Sequence, residues 1–141
     1  MDEIFTTFLE AAESVGDLLD SPETAKRWND PSALQGLCVG GLAAHLMQAL
    51  AYVHRLLDTP DETSDAPIVG LGEYLSSFKM EAFDADIHRY IRNRAEDSAT
   101  HGSEPTTVRF HELLAGLRDR LGTESPGRIL ERSAEGVFPV L

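Results

Sequence analysis

The side chains of this 141-residue chain that can carry chemistry are five histidines, one cysteine and a large set of carboxylates. His45 is the histidine best placed to act. It lies beside Leu42, Leu46 and Ala49, at the edge of what periodicity marks as the inward face of a helix. A ligand aimed into a helical bundle sits there. A lone helical histidine is more often structural than ligating, so position alone does not assign it. His54 lies about half a turn round the same helix and cannot share a site with His45. Asp84 and His88 are one turn apart and can grip one ion together, although an exposed pair is the plainer reading. His101 falls in a loop and His111 among leucines. Cys38 stands at a helix start, which favours a thiolate. No base adjoins it, and a small residue filling a cap position is the simpler account. Arg89, Arg92 and Arg94 can hold an anionic substrate, or form a solvated face balancing Glu96 and Asp97. Gly70-Leu71-Gly72 lacks the rest of a dinucleotide fingerprint, and neither an HExxH pair nor an EF-hand loop occurs.

Helices must position these residues. Ile4, Phe8, Ala12, Val15 and Leu19 recur at three- and four-residue steps and predict a helix over 3–20, with Asp2 as its cap and Pro22 after its end. Ser21-Pro22-Glu23-Thr24 opens a short helical turn reaching Trp28, and Asn29-Asp30-Pro31-Ser32 is a turn cluster. A second helix is expected over 39–57, with Val39, Leu42, Leu46, Ala49, Leu50, Val53 and Leu57 as its apolar stripe. Its start is poorly built by local rules: Cys38 takes the place of a Ser or Thr cap, and Gly40 and Gly41 fall in the first turn. Residues 58–70 form a polar linker that leaves the next helix free to run parallel or antiparallel. The third helix is expected over 72–96, with Leu71, Leu75, Phe78 and Ala82 on one stripe and Phe83, Ile87, Tyr90 and Ile91 on a shifted one. His101-Gly102-Ser103-Glu104-Pro105 breaks the pattern before a fourth helix over 106–121, which turns Phe110, Leu113, Leu114, Leu117 and Leu121 inward and ends at Gly122 as a C′ glycine. The tail from Thr123 has no period and closes on the apolar Val137-Phe138-Pro139-Val140-Leu141. The fold class is therefore all-α, one helical domain over 1–141, with no strand ladder.

Composition narrows the function classes. The formal net charge is −12, from 24 acidic and 12 basic residues. Nucleic acid and anionic membrane surfaces both need a basic footprint, so neither is an expected partner. One cysteine excludes an internal disulfide and a cysteine-based zinc site, which fits a reducing, cytoplasmic setting. The acidic start Met1-Asp2-Glu3 is unlike a signal peptide, and no apolar run reaches membrane-span length. Lys26 and Lys79 are the only lysines, an arginine bias that hints at a GC-rich source.

One stretch carries a more specific signal. Trp28-x-x-Pro31-Ser32-x-Leu34-x-Gly36-x-x-Val39-Gly40-x-Leu42-Ala43-Ala44-His45-Leu46 resembles the signature of the N-terminal, metal-binding domains of mycothiol-dependent maleylpyruvate isomerases, within the DinB-like four-helix bundles. Ile91-Arg92-x-Arg94 and the leucine-rich helix after it are similar in a less specific way. The resemblance implies an actinobacterial-type, thiol-dependent isomerase or S-transferase. It implies His45 as one of three ligands to a divalent metal, zinc first and nickel second, with mycothiol as the thiol and a small acidic or thiol-conjugated substrate. The family's other two ligands, a glutamate and a histidine one turn apart in a Val-Glu-Leu-x-Val-His context, have no counterpart in this sequence. The resemblance thus reads the chain as a truncated or divergent member whose last helix is missing. Leu37 and Cys38 also depart from the family, which often has tryptophan and a Thr or Ser cap there. The competing expectation is a non-catalytic helical module that dimerises through an apolar face left open.

Overall fold

Asp2 starts the first helix as its side chain accepts a hydrogen bond from the Ile4 amide at 2.9 Å, and α1 runs Glu3–Asp20. The computed structural model describes residues 1–59, 86–125 and 127–128. Ser21 ends α1 and caps α2, Pro22–Lys26, with Pro22 in its first turn, where a missing N–H costs nothing. The long helices that follow are α3, Val39–Asp58, α4, Asp86–Ala99, and α5, Ser103–Leu121. No strand occurs among the described residues, only an isolated bridge between Pro31 and Cys38. The all-α class read from periodicity is thus correct, and no described helix is long and apolar enough to cross a membrane.

Three local expectations need correction. The helix expected to end at 96 continues to Ala99, while the part expected over 72–85, Asp84 included, lies outside the described residues. The break expected across His101–Pro105 narrows to a turn at His101 and Gly102. Helix α5 begins at Ser103 and holds Pro105 in its first turn, where no helical partner awaits its nitrogen. Gly102 sits at φ +95°, a conformation that glycine adopts without strain, and this makes the tight α4–α5 turn possible. Gly122 is not a left-handed C′ residue: it stays right-handed at φ −61°. The apolar terminus 137–141 lies outside the described residues.

The helices pack as a row: α1 on α5, α5 on α3, and α3 on α4. Helix α1 runs antiparallel to α5, since His111 meets Asp20 while Arg118, about two turns later, meets Glu13. Helix α3 runs parallel to α5, because His54 meets Leu113 and Asp58 meets Arg120. It runs antiparallel to α4, whose last turn lies against the start of α3. Phe110 and Leu117 of α5, with 1% and 0% exposure, centre the core and are flanked by Leu9, Leu19, Leu50 and Leu57. Each such fully buried side chain contributes about 1.5–3 kcal/mol.

Glycines set the spacing of the row. A Cβ on Gly16 would stand 2.9 Å from the His111 ring, and one on Gly116 would stand 3.0 Å from the His54 ring. A Cβ on Gly40 would stand 2.4 Å from the Trp28 indole. Glycine inside a helix costs roughly 0.5–1 kcal/mol relative to alanine. At these positions a ring fills the notch, and packing offsets the cost.

This packing also rotates α3 relative to its expected stripe. The buried residues are Gly40, Gly41, Ala43, Ala44, Leu50 and Leu57, while Ala49 is exposed and Leu42, Leu46 and Val53 are only half-buried. The closest approach is made by glycine and alanine, which bring neighbouring elements nearer than leucine would.

Candidate functional site

The start of α3 breaks local rules because tertiary partners replace the local ones. A helix begins with four amides that have no helical acceptor. Here Glu96 Oε1 accepts from the Cys38 amide at 2.7 Å, and the Asp30 carbonyl accepts from the Val39 amide at 2.8 Å. The Trp28 carbonyl accepts from the Gly40 amide at 2.8 Å, and Cys38 Sγ accepts from the Gly41 amide at 3.2 Å. All four donors are satisfied, and the Glu96 carboxylate adds a negative charge at the positive end of the helix dipole. Trp28 is buried on Gly40, and its Nε1 donates to the Ala99 carbonyl at 2.9 Å. Glu96 lies so close over Gly41 that a Cβ there would fall 2.1 Å from its oxygen. Between them, Ser32 Oγ accepts from the Leu34 amide and Gly36 takes φ +83°, which folds residues 28–38 into a strap. The segment from Trp28 to Gly41 thus fastens the start of α3 to the end of α4.

His45 lies one turn beyond Gly41 on the same face of α3. It is half-buried, and desolvation lowers its pKa, which favours the neutral imidazole. Neither ring nitrogen has a hydrogen-bond partner among the described residues. The ring opens onto a pocket of about 210 Å³ between α3 and α4. His45, Gln48, Ala49, Tyr52 and Arg55 line it from α3, and Tyr90, Ile91 and Arg94 from α4. The Arg55 guanidinium carbon lies over the Tyr52 ring, 5.5 Å from its centroid.

The sequence pointed to His45 but passed over most of this wall. Residues 45, 48, 49, 52 and 55 follow the helical repeat, so their shared face was readable as a polar and aromatic strip. That the strip faces α4 was not readable, because the direction of α4 depends on the fold. The arginine cluster on α4 divides. Arg89 pairs with Asp86, and Arg94 lines the pocket. Glu96, one of the acids expected to balance the cluster, instead accepts from the Cys38 amide.

The other histidines have structural partners, or none among the described residues. His54 Nε2 donates to the Leu113 carbonyl at 2.8 Å, which leaves Nδ1 to accept from Arg120 at 3.3 Å. Arg120 also pairs with Asp58 at 2.9 Å, so this group locks α3 to α5 and leaves the ring no open nitrogen. His111 bridges to Asp20 at 2.9 Å. His88 is half-buried on α4, away from the pocket wall, and His101 is exposed in the α4–α5 turn. Cys38 is a free thiol serving as a cap. Burial raises its pKa, the Gly41 amide opposes this, and the Glu96 carboxylate adds to it. Among the described residues no group of three His, Cys, Asp or Glu side chains is placed to hold a metal ion.

No protein-family model matches the chain, and no curated protein or solved structure matches it.

Proposed function

We propose that this chain is a DinB-like helical domain that binds a small molecule in the α3–α4 pocket, with His45 as the side chain that meets the ligand. One observation carries this reading. His45 is desolvated, has no partner of its own among the described residues, and opens onto 210 Å³ of space. A half-buried ring that faces open space is met there by water, and a ligand hydrogen bond can take the place of that water. The rest of the signature supports the same division of labour. Trp28, Gly36, Cys38, Gly40 and Gly41 have structural work to do, and His45 has none.

Within the DinB-like reading a divalent metal, zinc or nickel, would supply Lewis-acid activation of a thiol such as mycothiol. The described donors do not fit a metal. His45 is the only His, Cys, Asp or Glu side chain lining the pocket among the described residues, and two guanidinium groups share the space. One imidazole does not hold a divalent cation with useful affinity. Metal-dependent thiol chemistry therefore remains a proposal that requires ligands from beyond the described residues.

The test is a small-molecule screen by NMR on the whole chain. Hits should shift the amides of His45, Ala49 and Ile91, and His45→Asn should weaken them while the circular dichroism spectrum stays helical. Binding that never touches these amides would remove the reading. A parallel assay on the whole chain tests the metal proposal: stoichiometric zinc or nickel that is lost in His45→Asn would show that residues beyond the described ones complete a metal site at His45.

A second reading, pairing with another copy through α1, is favoured by Ile4 and Leu18, which are 75% and 63% exposed on one side of that helix. Sedimentation at high concentration is expected to show a dimer that Leu18→Glu dissociates, and a concentration-independent monomer would end it.

A further inference from the structure

Among the described residues, the charge lining the pocket has a sign, and it is opposite to the one a metal site needs. No carboxylate or thiol lines it among the described residues; Arg55 and Arg94 do. Arg55 lies over the Tyr52 ring, within cation–π distance. Arg94 is half-buried and has no hydrogen bond or ion pair among the described residues. No carboxylate of α4 pairs with it among the described residues: Glu96 is taken by the Cys38 amide, Asp86 by Arg89, and Asp97, one turn on, is exposed and forms no ion pair with it. A guanidinium offers two parallel N–H donors, the geometry that a carboxylate matches. The remaining walls, Ala49, Ile91 and the rings of Tyr52 and Tyr90, are apolar or flat. At about 30 Å³ per water, the space equals roughly seven waters, which suits a small organic molecule rather than a bare ion. The net charge of −12 opposes anions at long range, but physiological salt screens it within about 8 Å, so Arg94 dominates at contact.

We infer that the α3–α4 pocket is an anion site that takes a small carboxylate with a flat apolar body, anchored by Arg94 with Arg55 beside it, and not a divalent-cation site on His45. This rests on the pocket reading above and adds the chemistry of the ligand. Arg94 reads the carboxylate, the tyrosine rings and Ile91 cover the body, and His45 and Gln48 meet polar substituents. Benzoate is a suitable probe, with benzamide as its uncharged counterpart, inorganic phosphate as an anion without a body, and zinc as the cation.

The experiment titrates each probe into the ¹⁵N-labelled chain and follows the amides of Ala49, Ile91 and Arg94. Benzoate is expected to shift them saturably and at least ten times more tightly than benzamide or phosphate. Arg94→Gln should reduce benzoate affinity at least tenfold and leave benzamide unchanged. Arg94→Lys, which keeps the charge but loses the fork, should fall between, and it serves as the second variant if Arg94→Gln does not fold. Benzamide binding as tightly as benzoate would overturn the inference while leaving the pocket reading intact. So would zinc binding at His45 that tightens in Arg94→Gln. Phosphate binding as well as benzoate would overturn the flat apolar body. If no probe moves these amides, the pocket reading itself falls, and this inference with it.

Discussion

Gly40→Ala tests the joint that positions the pocket, and its sign is opposite to what helix propensity gives. In the interior of an unconstrained helix, alanine for glycine gains up to about 1 kcal/mol. At Gly40 the new methyl would stand 2.4, 2.5 and 2.8 Å from three atoms of the Trp28 indole. The ring is rigid, 7% exposed and tied to the Ala99 carbonyl, so it cannot rotate aside at little cost. Overpacking costs about 1–3 kcal/mol, and losing the indole hydrogen bond costs about 1 more. Set against the gain in propensity, the expected net loss is about 1–3 kcal/mol. Urea denaturation followed by far-UV circular dichroism measures it. Trp28 is the only tryptophan, so its emission reports the same joint and should shift to the red as the ring is displaced. In a Trp28→Leu background the methyl meets a smaller, flexible side chain, and the cost of Gly40→Ala should fall by at least about 1 kcal/mol. A Gly40→Ala chain as stable as the wild type, with unchanged emission and no coupling to Trp28→Leu, would show that the indole does not sit in the glycine notch.

Further expectations address two groups whose ionisation the fold shifts. The Arg128 guanidinium donates to Glu124 at 2.7 Å and to the Leu57 and Thr59 carbonyls, so it caps the end of α3 from beyond α5. It holds the Glu124 carboxyl below its usual range. A depressed carboxyl contributes stability above its unfolded pKa and loses it as pH falls through the folded one. Glu124→Gln should therefore be less stable than the wild type at pH 7, and the difference should close below about pH 4. Persistence of the gap in acid would show that the ion pair is not its source. Burial raises the Cys38 thiol, so iodoacetamide should label it more slowly than free cysteine at pH 8. Glu96→Gln keeps an acceptor for the Cys38 amide but removes the charge, and should speed labelling. Labelling at the free-cysteine rate in the native chain would mean that Sγ is not buried beside the Glu96 carboxylate.

Much of the local structure was legible in the sequence because its causes are local. Asp2, Ser21 and Pro22 mark helix boundaries through hydrogen bonds to amides two residues away or through a fixed φ, and the leucine repeat of α5 turns inward as its spacing requires. His45 could be singled out for the same reason, by its place beside an apolar stripe. Three features needed the tertiary structure. The start of α3 looked defective because three of its first four amides are capped by residues outside α3 and its cap, two on the preceding strap and one on α4, which no local rule sees. Gly40 looked like a weak point until the Trp28 ring filled its notch, and Gly16 and Gly116, which carry no signal in the sequence, take the rings of His111 and His54. Arg94 read as part of a solvated cluster, because only the antiparallel docking of α4 on α3 brings it to the pocket that His45 faces. Periodicity fixes which residues share a face of one helix. Which faces meet is set by close packing and by the pairing of buried polar groups between elements far apart in sequence.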